Sequence, residues 1–199
     1  MDTTQIKIIA EPQTLPENCR FTLENPLLEG PSVRFSSGEE TKGSALAEKI
    51  FACGNVQGIL IAGNSVTVTQ NGTEDWRMLG KKIGAAIREA ISERKPLVSK
   101  EVLSKIPESS KIQAKVVEVI QNQINPAIAS HGGYIELLEV KNNDIYVKMG
   151  GGCHGCAMSS ATLKQGVEQT LRKEIPEIGA IYDTTDHASG ANPYYSPGK

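Results

Sequence analysis

At 199 residues, 39% hydrophobic and 22% charged, the chain has room for one or two ordinary globular domains, each large enough for a core. A net charge of −2 with mixed signs argues against a nucleic-acid partner or an anionic-membrane surface. No apolar run approaches the roughly 20 residues that span a bilayer. The first residues, MDTTQIKII, lack the features of a secretory signal or a transit peptide. The expected setting is a reducing cytoplasm, the alternative being a mature mitochondrial or plastid matrix protein.

Residues 5–10 read as a strand, and two short extended runs follow at 19–24 and 32–36, separated by the turn signals Asn25-Pro26 and Gly30-Pro31. Ser44 is placed to cap a helix over 45–53. Strands 56–62 and 65–70 flank Gly63-Asn64, a pair suited to a tight hairpin turn. Thr73 is placed to cap a helix starting at Glu74-Asp75-Trp76, with Trp76, Leu79, Ile83, Ile87 and Ile91 on its buried face. These elements make an N-terminal α+β domain over 1–91. Residues 92–110, rich in Ser, Lys and Glu and interrupted by Pro96 and Pro107, read as a linker.

A second domain spans 111–185. Its first helix carries an apolar stripe of Ile112, Val116, Val119, Ile120, Ile124 and Ile128, with Pro126 expected to bend the last turn. His131-Gly132-Gly133 ends that helix, with glycine available for a left-handed cap. Strand 134–140, the turn Asn142-Asn143 and strand 145–149 form a hairpin. A second helix presents Met158, Ala161, Val167, Leu171 and Ile175, and Pro176 stops it. A strand over 178–182 and a tail from Asp183, expected to be mobile over 186–199, complete the chain. The fold class is α+β: two small α/β domains joined by a linker, the second ordered α-β-β-α-β.

The stretch that carries chemistry is Gly150-Gly151-Gly152-Cys153-His154-Gly155-Cys156, on a glycine loop at the strand-to-helix junction of the second domain. Helix N-termini present unpaired N–H groups and a positive dipole end, both of which favour thiolates. Two thiolates supply half of a four-coordinate soft-metal site, so Cys153 and Cys156 point to a site completed by a second subunit. The glycines let backbone approach a bulky inorganic core without side-chain collision. Cys19 and Cys53 read as buried small hydrophobes. His154 sits between the cysteines and is not assigned as a ligand, nor are His131 and His187.

Three readings remain on residues alone: a cluster carrier sharing one site between two subunits, a thiol–disulfide oxidoreductase with Cys153 as nucleophile and Cys156 as resolver, and a zinc-bridged structural dimer. Thioredoxin-type dithiols occur near a βαβ pattern, whereas this pair follows an α-β-β pattern, which favours the carrier. No Ser/His/Asp set, paired carboxylates or phosphate-binding glycine motif is present in a plausible context, so the chain is not expected to be an enzyme.

The segments INPAIASHGGYIELLEV, IYVKMGGGCHGCAMSSATLKQGVE and IPEIGAIYD resemble the C-terminal domain of the Nfu (NifU-like) iron–sulfur proteins. Residues 6–91, through VQGILIAGNSVTVTQNGTEDW, look like the N-terminal Nfu domain. The resemblance implies a homodimer or higher oligomer holding a labile 4Fe–4S cluster between subunits through Cys153 and Cys156. It also implies an upstream cluster scaffold as donor and apo iron–sulfur proteins as clients. Where many members carry Asp-Gly-Gly-Asp, this chain has His131-Gly132-Gly133-Tyr134, so no acidic role carries over to positions 131 and 134.

Overall fold

The computed structural model describes residues 6–13, 15–72, 74–130, 132–151 and 157–184, with the side chains of 151 and 157–163 outside the description. The chain divides into two compact units, Met1–Ile106 and Pro107–Lys199.

The first unit is built on a five-stranded antiparallel sheet: β1 (Ile8–Pro12), β2 (Asn18–Leu23), β3 (Val33–Phe35), β4 (Val56–Ala62) and β5 (Ser65–Gln70), in the order β1-β2-β5-β4-β3. Period-two patterning decides which face is dry. Cys19, Phe21 and Leu23 on β2, Val66 and Val68 on β5, and Ile59 and Ile61 on β4 are all buried. Helices α1 (Ala45–Phe51) and α2 (Trp76–Ser92) supply Leu46, Ile50, Leu79, Ile83 and Ile87 to the same core. Ser44 caps α1, its hydroxyl accepting from the Ala47 N–H at 3.2 Å. The cap expected at Thr73 belongs instead to Asp75, whose Oδ1 accepts from the Arg77 N–H at 2.8 Å. Thr73 itself lies outside the described residues. A helix that starts two residues later than the pattern suggested takes the nearest acceptor able to reach its open N–H groups.

The stretch read as a linker over 92–110 is largely structured. The Ser44 hydroxyl donates to the Leu97 carbonyl at 2.8 Å, and the Ser99 N–H donates to the Gly43 carbonyl at 2.7 Å. Gly43 has φ +96° and a β-carbon there would lie 2.9 Å from the Ser99 hydroxyl, so glycine is required at this contact. A short helix α3 (Lys100–Leu103) follows, and Leu97, Val98, Val102, Leu103 and Ile106 pack on the first core. Composition alone hid these apolar residues among Ser, Lys and Glu.

The second unit opens with α4 (Ser109–Val119), a π-helical segment over Ile120–Ile124 and α5 (Asn125–Ala129). The bend expected in the last turn at Pro126 is thus a widened turn N-terminal to it. The proline ring would collide with the carbonyl four residues back, and a π turn moves that carbonyl away while the helix continues. The stripe Ile112, Val116, Val119, Ile120, Ile124 and Ile128 is buried throughout. Gly132, at φ +68°, ends the helix in the left-handed conformation, and its N–H donates to the Ala129 carbonyl. His131 lies outside the described residues.

Strands β6 (Gly133–Lys141) and β7 (Asp144–Gly151) pair antiparallel around Asn142-Asn143, with Asn142 left-handed at φ 54°. Helix α6 (Ala157–Glu174) then leads to β8 (Ile181–Asp183), which pairs parallel with β7 in the order β6-β7-β8. The last strand is shorter than the 178–182 expected: Ile178 is buried ahead of it as part of the core. Ile135, Ile145, Val147 and Met149 share the second core with Val167 and Leu171 of α6 and with Ile175, just past that helix's end. Met158 and Ala161, also expected on the buried face of α6, lie outside the side-chain description, and so does the tail 186–199.

Candidate thiol site at a strand-to-helix crossover

β7 ends at Gly151 and α6 begins at Ala157, so residues 152–156, which carry Cys153, His154 and Cys156, connect the two. Those residues lie outside the described ones, as does His187. Their frame is described on both sides.

On the strand side, Gly133 stands opposite Gly151 and Tyr134 opposite Gly150, so β6 starts where β7 ends. The start of β6 is itself tied to the first helix. Asn125 Oδ1 accepts from the Ile135 N–H at 2.8 Å, and its Nδ2 donates to the Ile135 carbonyl at 3.1 Å. Ile135 pairs with Met149 on one side, and on the other its outward polar groups are met by this one amide.

On the helix side, α6 is secured at several levels. Lys164 Nζ lies 2.7 Å from Asp183 Oδ2 of β8. Arg172 Nη1 donates to the carbonyls of Ile178 (3.1 Å) and Gly179 (3.0 Å), and its Nε pairs with Glu168 at 2.7 Å. The connection between helix and last strand is pinned in turn by Asn143, which donates from Nδ2 to the Glu177 carbonyl at 2.8 Å. The strand before this segment is held in the sheet, and the helix after it, 18 residues long, is held from Lys164 onward; a helix N-terminus is the positive end of its dipole.

β7, α6 and β8 form a β-α-β crossover, the connection that parallel neighbours need. The Cys-x-x-Cys pair thus falls, in chain order, in the strand-to-helix link of a β-α-β unit, so the preceding α-β-β order does not count against a redox dithiol. The sequence missed this because parallel pairing of β8 depends on where its short strand docks, which local patterning does not specify.

The other two cysteines sit in the first unit. Cys19 is buried on β2, and burial pushes its thiol up from 9.0 to about 11, against a smaller opposing effect of the Glu11 backbone N–H. Burial likewise raises the Cys53 thiol, whose Sγ lies 3.5 Å from the Lys49 carbonyl. Both are free cysteines, and both environments disfavour the thiolate a metal needs. Among the described residues, no group of three or more His, Cys, Asp or Glu side chains is arranged to hold a metal ion. Nor is any described helix long and apolar enough to cross a membrane.

Fold and frame define a protein of two α+β units whose second unit offers a thiol pair in a strand-to-helix link. Residues 116–182 match the family described as NifU-like domain, and residues 8–94 match the family described as scaffold protein Nfu/NifU N terminal. The chain belongs to the Nfu (NifU-like) family. It is 49% identical over 83 residues to the Fe/S biogenesis protein NfuA of Xylella fastidiosa (strain M12), covering 41% of this chain and 42% of that relative. To the Fe/S biogenesis protein NfuA of Xanthomonas euvesicatoria pv. vesicatoria (strain 85-10) it is 47% identical over 88 residues, 44% of each chain. The chain thus spans less than half the length of the curated relatives it matches. A solution NMR structure of a NifU-like protein from Saccharomyces cerevisiae is similar at 19% identity and a TM-score of 0.43, over 48% of this chain and 86% of that one.

Proposed function

We propose that this chain carries a labile iron–sulfur cluster as cargo, bound through Cys153 and Cys156 of two copies and passed to apo-proteins. The observation that carries the reading is that the matched NifU-like domain, residues 116–182, contains the Cys-x-x-Cys pair in the link between β7 and α6. Each chain offers two thiolates, half of the four that a 4Fe–4S cluster takes. A site split between copies protects the cluster while both are engaged, and opens when one copy departs or a competing thiolate intervenes. On this reading the protein performs no bond-making catalysis. Its partners are a second copy of itself, an upstream scaffold that supplies the cluster, and the client proteins that accept it. The setting is the reducing cytoplasm, where thiols stay unpaired.

A second reading has one observation in its favour. The β-α-β crossover around the pair is the context in which a dithiol acts as an oxidoreductase, with Cys153 attacking and Cys156 resolving. A zinc-bridged dimer would use the same thiolates.

Metal and sulfide analysis of the anaerobically reconstituted chain, with solution mass on the same sample, separates the three. The carrier gives about four irons and four sulfides per dimer and a doubling of mass. Cys153→Ala and Cys156→Ala each abolish cluster uptake while circular dichroism stays that of the folded chain. A normal cluster in either variant overturns the carrier. Zinc alone, or a cycling disulfide without metal, moves the assignment to the other two.

A further inference from the structure

Tyr134 and Gly150 face each other across the β6–β7 pair. A β-carbon at position 150 would fall 2.6 Å from Cε1 of the Tyr134 ring, with Cζ and Oη also in collision. The far edge of the ring therefore occupies the space that any side chain at 150 would need. Gly150 is buried, while Tyr134 remains 48% exposed, so half the ring covers backbone and half faces solvent. Core packing does not explain an aromatic in that position.

We infer that Tyr134 is a positioning residue for the thiol segment. The inference rests on the reading of Cys153 and Cys156 as cluster ligands. β7 ends in consecutive glycines, the residue type with the most backbone freedom and the weakest hold in a strand. An aromatic ring laid over a glycine on the neighbouring strand supplies the side-chain packing the glycine lacks. Here the covered glycine is three residues before Cys153 and one pair before the ladder's last, Gly133 opposite Gly151, so the ring braces the strand end from which the ligand segment leaves. Residues that orient metal ligands without touching the metal govern how tightly it is held. Tyr134 thus controls how readily the cluster leaves.

The test uses the full chain, reconstituted anaerobically, and follows loss of cluster absorbance after addition of an iron chelator. Tyr134→Val keeps strand propensity but removes the ring. It loses cluster roughly tenfold faster than the unmodified chain, the scale at which outer-sphere residues act. Tyr134→Phe, which keeps the ring, matches the unmodified chain. Tyr146→Val provides the control for sheet stability: Tyr146 stacks on Tyr182 at 4.8 Å, further back along β7. It lowers the melting temperature at least as much as Tyr134→Val but leaves the loss rate unchanged. An unaltered loss rate in Tyr134→Val, or equal acceleration in Tyr146→Val, overturns the inference while leaving the carrier reading standing. An unmodified chain that takes up no cluster overturns both.

Discussion

A thiol acts as a metal ligand or nucleophile only as its thiolate, and Cys19 is held in the protonated form. Its side chain is buried on β2, and burial raises it from 9.0 to about 11. Between those values the unfolded chain has released a proton that the folded chain keeps. The unfolded state then binds fewer protons, so stability falls as pH rises. The urea midpoint should drop between pH 8 and pH 10.5, and Cys19→Ala should flatten that drop. Cys53, also raised by burial, acts in the same direction, so the slope is reduced rather than removed. A slope unchanged in Cys19→Ala would show that Cys19 does not titrate as its burial requires. The same chemistry separates the two pairs of cysteines: those of the first unit are inert by environment, and the 153/156 pair precedes a helix N-terminus.

At the scale of elements, one amide joins the first helix of the second unit to the sheet. Asn125 meets both outward polar groups of Ile135, on the edge strand β6. Asn125→Ala leaves a partly buried N–H and C=O without that partner, a cost of about 1–3 kcal/mol. Urea denaturation should show a lower midpoint at unchanged slope; an unshifted midpoint would mean water replaces the amide freely. Most of this unit was legible in the sequence, because strand alternation, the helical stripe from Ile112 to Ile128 and the turns at Asn142 and Gly132 are local patterns. The Asn125 contact was not, since it joins a helix to a strand through a π turn that no period reveals. Nor was the Tyr134–Gly150 pair. Counting back from the Asn142-Asn143 turn places Tyr134 opposite Gly151, but a bulge between Leu137 and Glu139 moves the register by one. Leu138, left 50% exposed there, carries no mark of that irregularity in the sequence. The Cys-x-x-Cys spacing and the glycines before it are properties of a short string and are read directly from the sequence, while residues 152–156 lie outside the described ones.

At the scale of the whole chain, the question is where the first unit stops. Composition changes after α2, and a boundary at residue 91 follows from it; packing continues to Ile106. Val98 is buried in the first core, and Leu97, Val102, Leu103 and Ile106 pack around it. Ser44 and Gly43 each lose a backbone partner if the chain ends at 91. Burying one Val or Leu side chain is worth about 1.5–3 kcal/mol, a large share of the margin that keeps a domain of this size folded. A fragment of residues 1–106 should therefore melt cooperatively at the temperature of the first unit in the full chain. The fragment 1–91 should melt well below it or lack a cooperative transition. Equal melting of the two fragments would show that residues 97–106 lie on the core without stabilising it.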